Sequence, residues 1–311
     1  IMLISVVIPL YNKQYYIRKA IESVLIQTNP CFELIVVDDG STDQSADIVN
    51  SFEDHRILLI QQENSGVSKA RNKGVYEANG DWVSFLDADD EYEPDFLKEA
   101  ENFINGHTRS NISFLGTNYY IRSRECIANS LDISTGIYDY PMLFRDQKSP
   151  NNSSSTIVNR EAFLLTGGFS EEVKYFEDWI TWFKLGIIGK FGYISRPLAM
   201  YNFIEGSVSR AARDMKEFYN SAVSLPVTLN EYLSKNSRPS QDNGPIRKRI
   251  ASFSLSIAEI LAIGGERGLS IRMMRFVSPQ VFVAELRKSF RTLLFLLLPL
   301  CVRKLSHLIR Q

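Results

Sequence analysis

The sequence predicts an α/β fold in which a mostly parallel sheet is flanked by helices and is followed by a mainly helical extension. Two observations predict it. Short apolar runs, typical of buried strands, alternate four times with helical stripes over the first hundred residues or so, and such alternation favours parallel strands joined by crossover helices. After residue 210 the strand pattern stops and helix-like segments follow. We therefore predict one domain over residues 1–210 and a helical region over residues 211–311.

The apolar patterns place each element in chain order. Strands are predicted at residues 4–9, 32–37, 56–60 and 82–86, which are short apolar runs of the length of a buried strand. Helices are predicted between them, where apolar residues recur every three or four positions, as at Ile17, Ala20, Ile21, Val24 and Leu25. The second helix has three candidate capping residues, Ser41, Thr42 and Asp43, and the next two helices are predicted at residues 65–78 and 96–104.

The pattern between residues 111 and 210 is less regular. Short strands are predicted at residues 112–116 and 193–194, and a tight turn at residues 166–169. An amphipathic helix then opens with Glu177 and Asp178 in its first turn. Acids at that position often do no more than complement the helix dipole, so the pattern alone leaves a structural and a chemical role equally open.

Polar residues follow three of the predicted strands. They are Tyr11 and Asn12 after the first strand, Asp38 and Asp39 after the second, and Asp87, Asp89 and Asp90 after the fourth. Ligands bind at the carboxyl ends of the strands in parallel α/β sheets, and alternation along an extended chain points Asp87 and Asp89 one way and Asp90 the other. An acidic turn that caps the next helix is the alternative for the last three. The convergence of three polar strand ends favours a ligand site.

Charge and cysteine content narrow the classes of partner and compartment. Residues 1–100 carry 8 Lys and Arg against 18 Asp and Glu, a net charge of −10, whereas residues 211–311 carry 16 against 7, a net charge of +9. An acidic first half disfavours nucleic acid as its partner. Three widely spaced cysteines fit a reducing compartment, and no signal peptide pattern is visible, so we expect a cytoplasmic location.

An apolar run at residues 292–302 lies between basic flanks. It is too short to span a bilayer, which takes about 20 residues. An apolar centre with basic flanks is typical of a helix that lies in the membrane interface. We therefore expect residues 285–311 to bind the inner face of a membrane. A core helix or the interface of a homo-oligomer is the alternative.

Six motifs together resemble family 2 glycosyltransferases, and they occur in the order of that family. They are residues 6–12, 36–43, 64–74, 87–90, 167–169 and 177–179. The resemblance covers residues 4 to about 210. It implies the GT-A fold, which is Rossmann-like, and an inverting enzyme that uses a nucleotide-sugar donor, most often a UDP-sugar. With the basic C-terminal region it is similar to bacterial enzymes that build O-antigen, capsule or exopolysaccharide units on lipid-linked acceptors.

The resemblance also implies roles for individual residues. Asp39 would accept a hydrogen bond from the uracil imide, Arg71 and Lys69 would contact the nucleotide, and Asp87 would bind ribose or reach the metal through water. The remaining donor-site residues would be Pro9, Tyr11, Asn12 and Ala88.

Two further assignments concern the metal and the chemistry. Asp89 would ligate the Mg²⁺ or Mn²⁺ ion that bridges the two phosphates, for which hard oxygen ligands are suited. Asp178 would be the catalytic base that takes the acceptor hydroxyl proton, and Glu177 would position it or bind the acceptor.

One stretch departs from the family pattern. Many relatives carry an Arg and a His downstream of the acidic helix, where this sequence has Asn202 and Ile204. A metal ligand from that segment is therefore in doubt, although Ser207 and Ser209 remain there. Arg210 is a candidate replacement as a contact to the diphosphate.

Other functions fit the sequence less well. A sugar nucleotidyltransferase needs a glycine-rich loop after the first strand, and residues 9–13 contain no glycine. A Rossmann dehydrogenase needs a G-x-G-x-x-G motif, which is absent. A non-catalytic module that binds a nucleotide-sugar is the remaining alternative, and the presence of both Asp89 and Asp178 argues against it.

Overall fold

The computed structural model describes residues 2–122, 126–128, 133–143, 149–204, 215–236, 243–263, 267–277 and 279. The chain divides into two compact units. The first comprises Ile1–Glu172 with Glu177–Ala211, and the second comprises Val173–Phe176 with Ala212–Gln311. The roles predicted for Ser207, Ser209 and Arg210, and the membrane contact predicted for residues 285–311, lie outside the described residues.

The strands of the first unit form a single sheet. In chain order they are β1 (Ile4–Leu10), β2 (Phe32–Asp38), β3 (Ile57–Gln61), β4 (Trp82–Phe85), β5 (Glu91–Tyr92), β6 (Ile112–Arg122), β7 (Cys126–Ala128), β8 (Gly136–Tyr138), β9 (Thr156–Asn159) and β10 (Lys190–Asn202). Their order in the sheet is β3-β2-β1-β4-β9-β6-β10-β5, with β7 beside β6 and β8 beside β10.

The sheet is parallel in its first half and mixed in its second. Strands β3, β2, β1 and β4 run parallel, so their carboxyl ends meet at one edge. Strand β9 is antiparallel to both neighbours, β4 and β6, and β10 then runs parallel to β6. The parallel half is the part that the alternating pattern predicted, and the α/β fold class is confirmed.

The helices lie between and beyond these strands. In the first unit they are α1 (Ile17–Leu25), α2 (Ser45–Asn50), α3 (Val67–Glu77), α4 (Phe96–Gly106), α5 (Tyr140–Leu143), α6 (Arg160–Leu165) and α7 (Glu177–Ile188). In the second unit they are α8 (Met215–Asn236), α9 (Gly244–Ile263) and α10 (Arg267–Met274), so the described part of that region is helical as expected. Of all the helices described, none is long and apolar enough to cross a membrane.

Strand β1 is buried along its whole length because helices cover both faces of the sheet. Its residues Ile4, Val6, Ile8 and Leu10 belong to a core shared with α1 and α4. Val7 points to the opposite face, where α3 packs so closely that a Cβ on Gly74 would lie 2.3 Å from Val7 Cγ1. Glycine at this position therefore brings α3 and the loop before it against the sheet.

An aromatic cluster fills the same face of the sheet as α3. The ring of Phe85 on β4 lies 5.8 Å from that of Phe163, 5.1 Å from that of Phe169 and 6.2 Å from that of Trp182, measured between centroids. Phe169 and Trp182 are also in edge contact, at 5.5 Å. These contacts fasten α6, the turn that follows it and α7 to the end of β4.

Candidate active site

The loops that follow β1 and β2 are hydrogen-bonded to each other at the edge of the sheet where the parallel strands end. Asn12 has a φ of 50°, a left-handed conformation that asparagine tolerates. Its backbone N–H donates to Ser41 Oγ at 3.0 Å, and its side-chain Oδ1 accepts from the Thr42 N–H at 2.8 Å. The Lys13 N–H donates to Ser45 Oγ at 2.8 Å. The predicted donor-site residue Asn12 thus holds the two loops together.

Asp39 is almost fully buried, at 4% exposure, and it organises the start of α3. Its carboxylate accepts hydrogen bonds from the backbone N–H groups of Ser65 and Gly66 and from the Gln62 amide, all at 2.8 Å. These bonds satisfy donors that precede the helix. A contact with a uracil imide stays a prediction, and it would use the remaining acceptor capacity of this carboxylate.

Residues 87–90, which we call the acidic turn, follow β4 directly. The Asp90 N–H donates to the Asp87 carbonyl at 2.9 Å. Asp90 is buried, and its carboxylate accepts from Ser154 Oγ at 2.5 Å and from the Asn202 N–H at 2.8 Å. Burial, with the charge of Asp87 adding to it, raises the pKa of Asp90 well above its usual value. Asp87 and Asp89 remain partly exposed, with side-chain exposures of 31% and 17%.

Two cations pair with the exposed acids of this turn. Lys13 Nζ forms an ion pair with Asp89. Arg71, whose side chain is only 5% exposed, donates from Nη2 to Asp87 Oδ1 at 2.6 Å. Its other terminal nitrogen, Nη1, lies 3.3 Å from Glu177 Oε1. The guanidinium carbon is 5.3 Å from the centre of the Phe169 ring, a cation–π contact that supports the same position.

The structure therefore brings the two predicted acidic motifs together around Arg71. Burial, with the charge of Asp178 adding to it, raises the pKa of Glu177 to about 7, while Arg71 opposes the shift. Burial also raises the pKa of Asp178, against the opposing effects of Arg71 and of the Trp179 N–H, which donates to Asp178 Oδ1 at 2.7 Å. A carboxylate with a raised pKa is a stronger proton acceptor near neutral pH.

Asn72, the residue after Arg71, fixes the turn that leads towards this acidic helix. Its side chain donates to the Phe169 carbonyl and accepts from the Phe169 N–H, both at 2.9 Å. Gly168 has a φ of +70°, and a Cβ there would lie 2.7 Å from Asn72 Oδ1. Only glycine fits this close approach. The sequence predicted the turn, and the structure shows what holds it.

The remaining predicted donor-site residues are spread over this edge. Pro9 is buried in β1, beside Val37 of β2, and Tyr11 is 47% exposed just beyond it. Ala88, in the acidic turn, is buried and belongs to the core that β1 shares with α1 and α4. Lys69 is exposed and lines a groove of about 480 Å³ between α3 and α6, together with Asn72, Lys73, Tyr76, Phe163, Leu164, Gly167, Gly168 and Glu171. Lys69 and Arg71 thus serve different surfaces of α3.

The described residues contain no group of three or more His, Cys, Asp or Glu side chains that could hold a metal ion. Asp87 and Asp89 nevertheless offer hard oxygen atoms at one edge, and Lys13 already holds a positive charge at Asp89. Mg²⁺ is commonly bound by one or two carboxylates together with substrate phosphates and water. The donor set fits such an ion when a diphosphate supplies further oxygens.

Three residues of this site were not among the donor-binding, metal-binding and catalytic residues that the sequence predicted. Lys13 directly follows the motif at residues 6–12, and its position there is the signal that could have found it. Ser154 lies in a run of serines at residues 153–155 that carries no recognisable pattern. Asn202 stood out only as a departure from the family pattern, and its side-chain amide donates to the Asp89 carbonyl at 2.7 Å.

Known proteins with similar sequences identify the family of this chain. The profile described as glycosyl transferase family 2 matches residues 5–165. Glycosyltransferase GlyA of Streptococcus pneumoniae is 28% identical over 300 residues, which cover 86% of this chain but only 39% of GlyA. The putative teichuronic acid biosynthesis glycosyltransferase TuaG of Bacillus subtilis is 32% identical over 215 residues, which cover 67% of this chain and 81% of TuaG.

Solved structures support the fold. A crystal structure of S. aureus TarS 1-349 superposes with a TM-score of 0.71 at 22% identity, covering 95% of this chain and 90% of that one. The same TarS fragment in complex with UDP-GlcNAc has a TM-score of 0.69 at 21% identity, with the same coverage of both chains. With the motifs gathered at one edge of a GT-A sheet and the profile matching more than half of its length, the chain belongs to glycosyl transferase family 2.

Proposed function

We propose that this chain transfers a sugar from a nucleotide-sugar donor, specifically a UDP-sugar, to a hydroxyl of a glycan or lipid-linked acceptor with inversion at the anomeric carbon. The observation that carries the proposal is the position of Arg71. This single buried guanidinium contacts Asp87, in the turn that would hold the donor, and Glu177, beside the candidate base. Donor binding and proton removal would thus occur on either side of one fixed cation.

The donor half of the site is the carboxyl edge of β1, β2 and β4. Asp87 would accept hydrogen bonds from ribose hydroxyls, and Tyr11, which is exposed at the same edge, would offer a ring face to the base. Asp87 and Asp89 would hold a bound Mn²⁺ or Mg²⁺ ion, which would stabilise the negative charge that grows on the leaving nucleoside diphosphate. Lys13 would then turn from Asp89 towards the phosphates.

The acceptor half is the start of α7. Asp178 would take the proton of the acceptor hydroxyl while that oxygen attacks the anomeric carbon from the face opposite the diphosphate. The bond from the anomeric carbon to the diphosphate oxygen breaks as the new bond forms, so one displacement inverts the configuration. Positioned proton transfer of this kind contributes about 10²–10⁴-fold to the rate. Glu177, which is hydrogen-bonded to Arg71, would position the base and the acceptor.

The names of similar proteins support the substrate class. One TarS structure is in complex with UDP-GlcNAc and another with UDP, and TuaG is named for teichuronic acid biosynthesis. By similarity to these proteins, we propose that this chain uses a UDP-sugar donor and takes part in the synthesis of a bacterial surface polysaccharide such as O-antigen or capsule. Peripheral binding to the inner face of the cytoplasmic membrane through residues 285–311 is part of this proposal, and homo-oligomer formation by the same region is the alternative to it.

The donor is tested by a thermal-shift screen of UDP-, GDP- and dTDP-sugars, each with and without Mn²⁺. A ligand that binds only the folded protein stabilises it by mass action, and its melting temperature rises. At a ligand concentration of 100 times Kd, the gain in the free energy of unfolding is about 2.7 kcal/mol. We expect a UDP-sugar to give the largest shift and Mn²⁺ to increase it. The matched control is Asp89→Asn, which should lose the effect of Mn²⁺. A larger shift with GDP- or dTDP-sugars would contradict the assignment of uridine.

The screen does not by itself separate an enzyme from a module that only binds nucleotide-sugars. Release of UDP from the best donor, measured with and without a mixture of saccharide acceptors, separates them. The enzyme releases UDP slowly to water and faster when an acceptor is present. Binding without any release of UDP would favour the non-catalytic module.

A further inference from the structure

The acidic turn is held from two sides by residues that are far away in the sequence. Ser154 Oγ accepts a hydrogen bond from the Asp87 N–H at 3.1 Å and donates to Asp90 Oδ2 at 2.5 Å. Asn202 donates its backbone N–H to Asp90 Oδ1 at 2.8 Å and its side-chain amide to the Asp89 carbonyl at 2.7 Å. Every residue of the turn except Ala88 is therefore fixed by one of these two partners.

These bonds end on the main chain of the turn and on its inward acid. The carboxylates of Asp87 and Asp89 are left for Arg71 and Lys13. Ser154 and Asp90 are each only 1% exposed, so their hydrogen bonds are shielded from water. Hydrogen bonds are stronger in such surroundings, and an unpaired polar group there is costly. The network consequently fixes the backbone from which the Asp87 and Asp89 side chains extend, and it leaves their carboxylate oxygen atoms free of these bonds.

The two partners come from different parts of the sheet. Ser154 lies in the 3-10 turn at Ser153–Ser155, directly before β9, and Asn202 is the last residue of β10. Asn202 is held in turn by Arg122 of β6, whose Nη1 donates to Asn202 Oδ1 at 3.0 Å. The mixed half of the sheet thus sets the position of a turn that follows the parallel half.

We propose that Ser154 and Asn202 are positioning residues. They hold the main chain of residues 87–89 so that the carboxylates of Asp87 and Asp89 can both act on one bound diphosphate through its divalent cation. The inference rests on the proposed function for the identity of the ligand. Neither Ser154 nor Asn202 touches the reacting atoms in the proposed reaction. The two residues affect the binding of the nucleotide and the cation, and they do not affect the proton transfer at Asp178.

The test compares Ser154→Ala with Ser154→Thr, which keeps the hydroxyl, and with Ser153→Ala, a buried serine of the same turn. The readout is the Kd for UDP in the presence of Mn²⁺, measured by calorimetry, together with the melting temperature. Ser154→Ala should weaken UDP binding about tenfold, because the Asp87 N–H and the buried Asp90 carboxylate both lose their partner. Ser154→Thr should restore the affinity to within about threefold, and Ser153→Ala should leave it unchanged.

A merely structural role predicts a different pattern. In that case Ser154→Ala lowers the melting temperature while the folded fraction binds UDP with unchanged Kd, and this result would overturn the proposal. Loss of affinity that Ser154→Thr does not restore would also overturn it, because the hydroxyl would not be the cause. If Ser154→Ala does not fold, Asn202→Ala decides in the same way. It removes only the amide contacts, and an unchanged Kd would again overturn the proposal.

Failure of the proposed function would look different. A wild-type protein that binds UDP but transfers no sugar disproves the enzymatic proposal, while the comparison of variants still tests the positioning role. A wild-type protein that binds no UDP in the presence of Mn²⁺ disproves both. Where transfer is observed, Ser154→Ala should raise the KM for the donor and the Mn²⁺ concentration for half-maximal activity about tenfold, with a smaller effect on kcat.

Discussion

Arg71 Nη2 lies 2.6 Å from Asp87 Oδ1, and this ion pair joins a helix to the turn that follows the neighbouring strand. The Arg71 side chain is 5% exposed and that of Asp87 is 31% exposed, so the cation is buried while the acid remains partly accessible. The same guanidinium reaches Glu177 through its other terminal nitrogen. Arginine can serve two acids at once because its donors form a rigid planar fork. The acid after β4 and the acid at the start of α7 therefore have a common partner.

Arg71→Lys should separate these two contacts. An ammonium group is a single point of charge and cannot reproduce the fork, so one of the two acids loses its partner inside the protein. We expect kcat for sugar transfer to fall at least about tenfold. Lys73→Met on the same helix removes a surface pair with Glu77 and a cation–π contact with Tyr76 and should change stability by less than about 1 kcal/mol. Steady-state kinetics and thermal unfolding of both variants check this, and wild-type kcat in Arg71→Lys would refute the bridging role.

Glu177→Gln should make the protein more stable at high pH. Burial raises the pKa of Glu177 to about 7 in the folded protein, from an ordinary value of 4.5. The folded state thus binds more protons than the unfolded state between about pH 4.5 and 7, so stability falls as the pH rises through that window. A glutamine cannot ionise, and at pH 8 it should remove a cost on the order of 3 kcal/mol.

Unfolding in urea at pH 5 and pH 8 measures this effect. The difference between Glu177→Gln and the wild type should be larger at pH 8 than at pH 5. Glu161→Gln, which removes an exposed acid from the first turn of α6, controls for the loss of one charge near a helix start. Equal effects of Glu177→Gln at the two pH values would show that the burial of this carboxylate carries no such cost.

Gly74→Ala should destabilise the protein by about 1–3 kcal/mol. The new Cβ would lie 2.3 Å from Val7 Cγ1, so α3 must move away from β1. Gly106→Ala, at the end of α4, is the matched control, because a Cβ there has no atom within 4 Å. It should leave stability unchanged or raise it by up to about 1 kcal/mol through helix propensity. Chemical unfolding compares the two, and equal stability of both variants would be inconsistent with the packing described.

The parallel half of the sheet was predictable because local patterns determine it. The strands near residues 4–9, 32–37 and 82–86 are runs with a single polar residue each, and each lies in the structure within about two residues of its predicted bounds. The mixed half was not. Strand β10 runs from Lys190 to Asn202, yet only residues 193–194 had a strand pattern, since its polar residues and its two-sided pairing with register shifts obscure the alternation.

The same distinction applies to the candidate site. Acids at strand ends and at helix starts are visible in the sequence. The acidic turn and Asp39 were identified as candidates on the first ground, and Glu177 and Asp178 on the second. The hydrogen bonds of Ser154 and Asn202 connect positions 64 and 112 residues apart. No local periodicity reports such contacts, because the folded sheet alone brings the partners together. The burial of Arg71 between two acids was hidden for the same reason.

Asp178→Asn tests the central claim most directly. The amide keeps the shape of the side chain and one acceptor oxygen, but it cannot take a proton, so the base is lost while the donor site around the acidic turn is intact. The measurement pairs the rate of sugar transfer with the Kd for UDP in the presence of Mn²⁺. We predict a fall in kcat of at least about 10²-fold with a Kd within about twofold of the wild type. A transfer rate close to that of the wild type would contradict the assignment of Asp178 as the base.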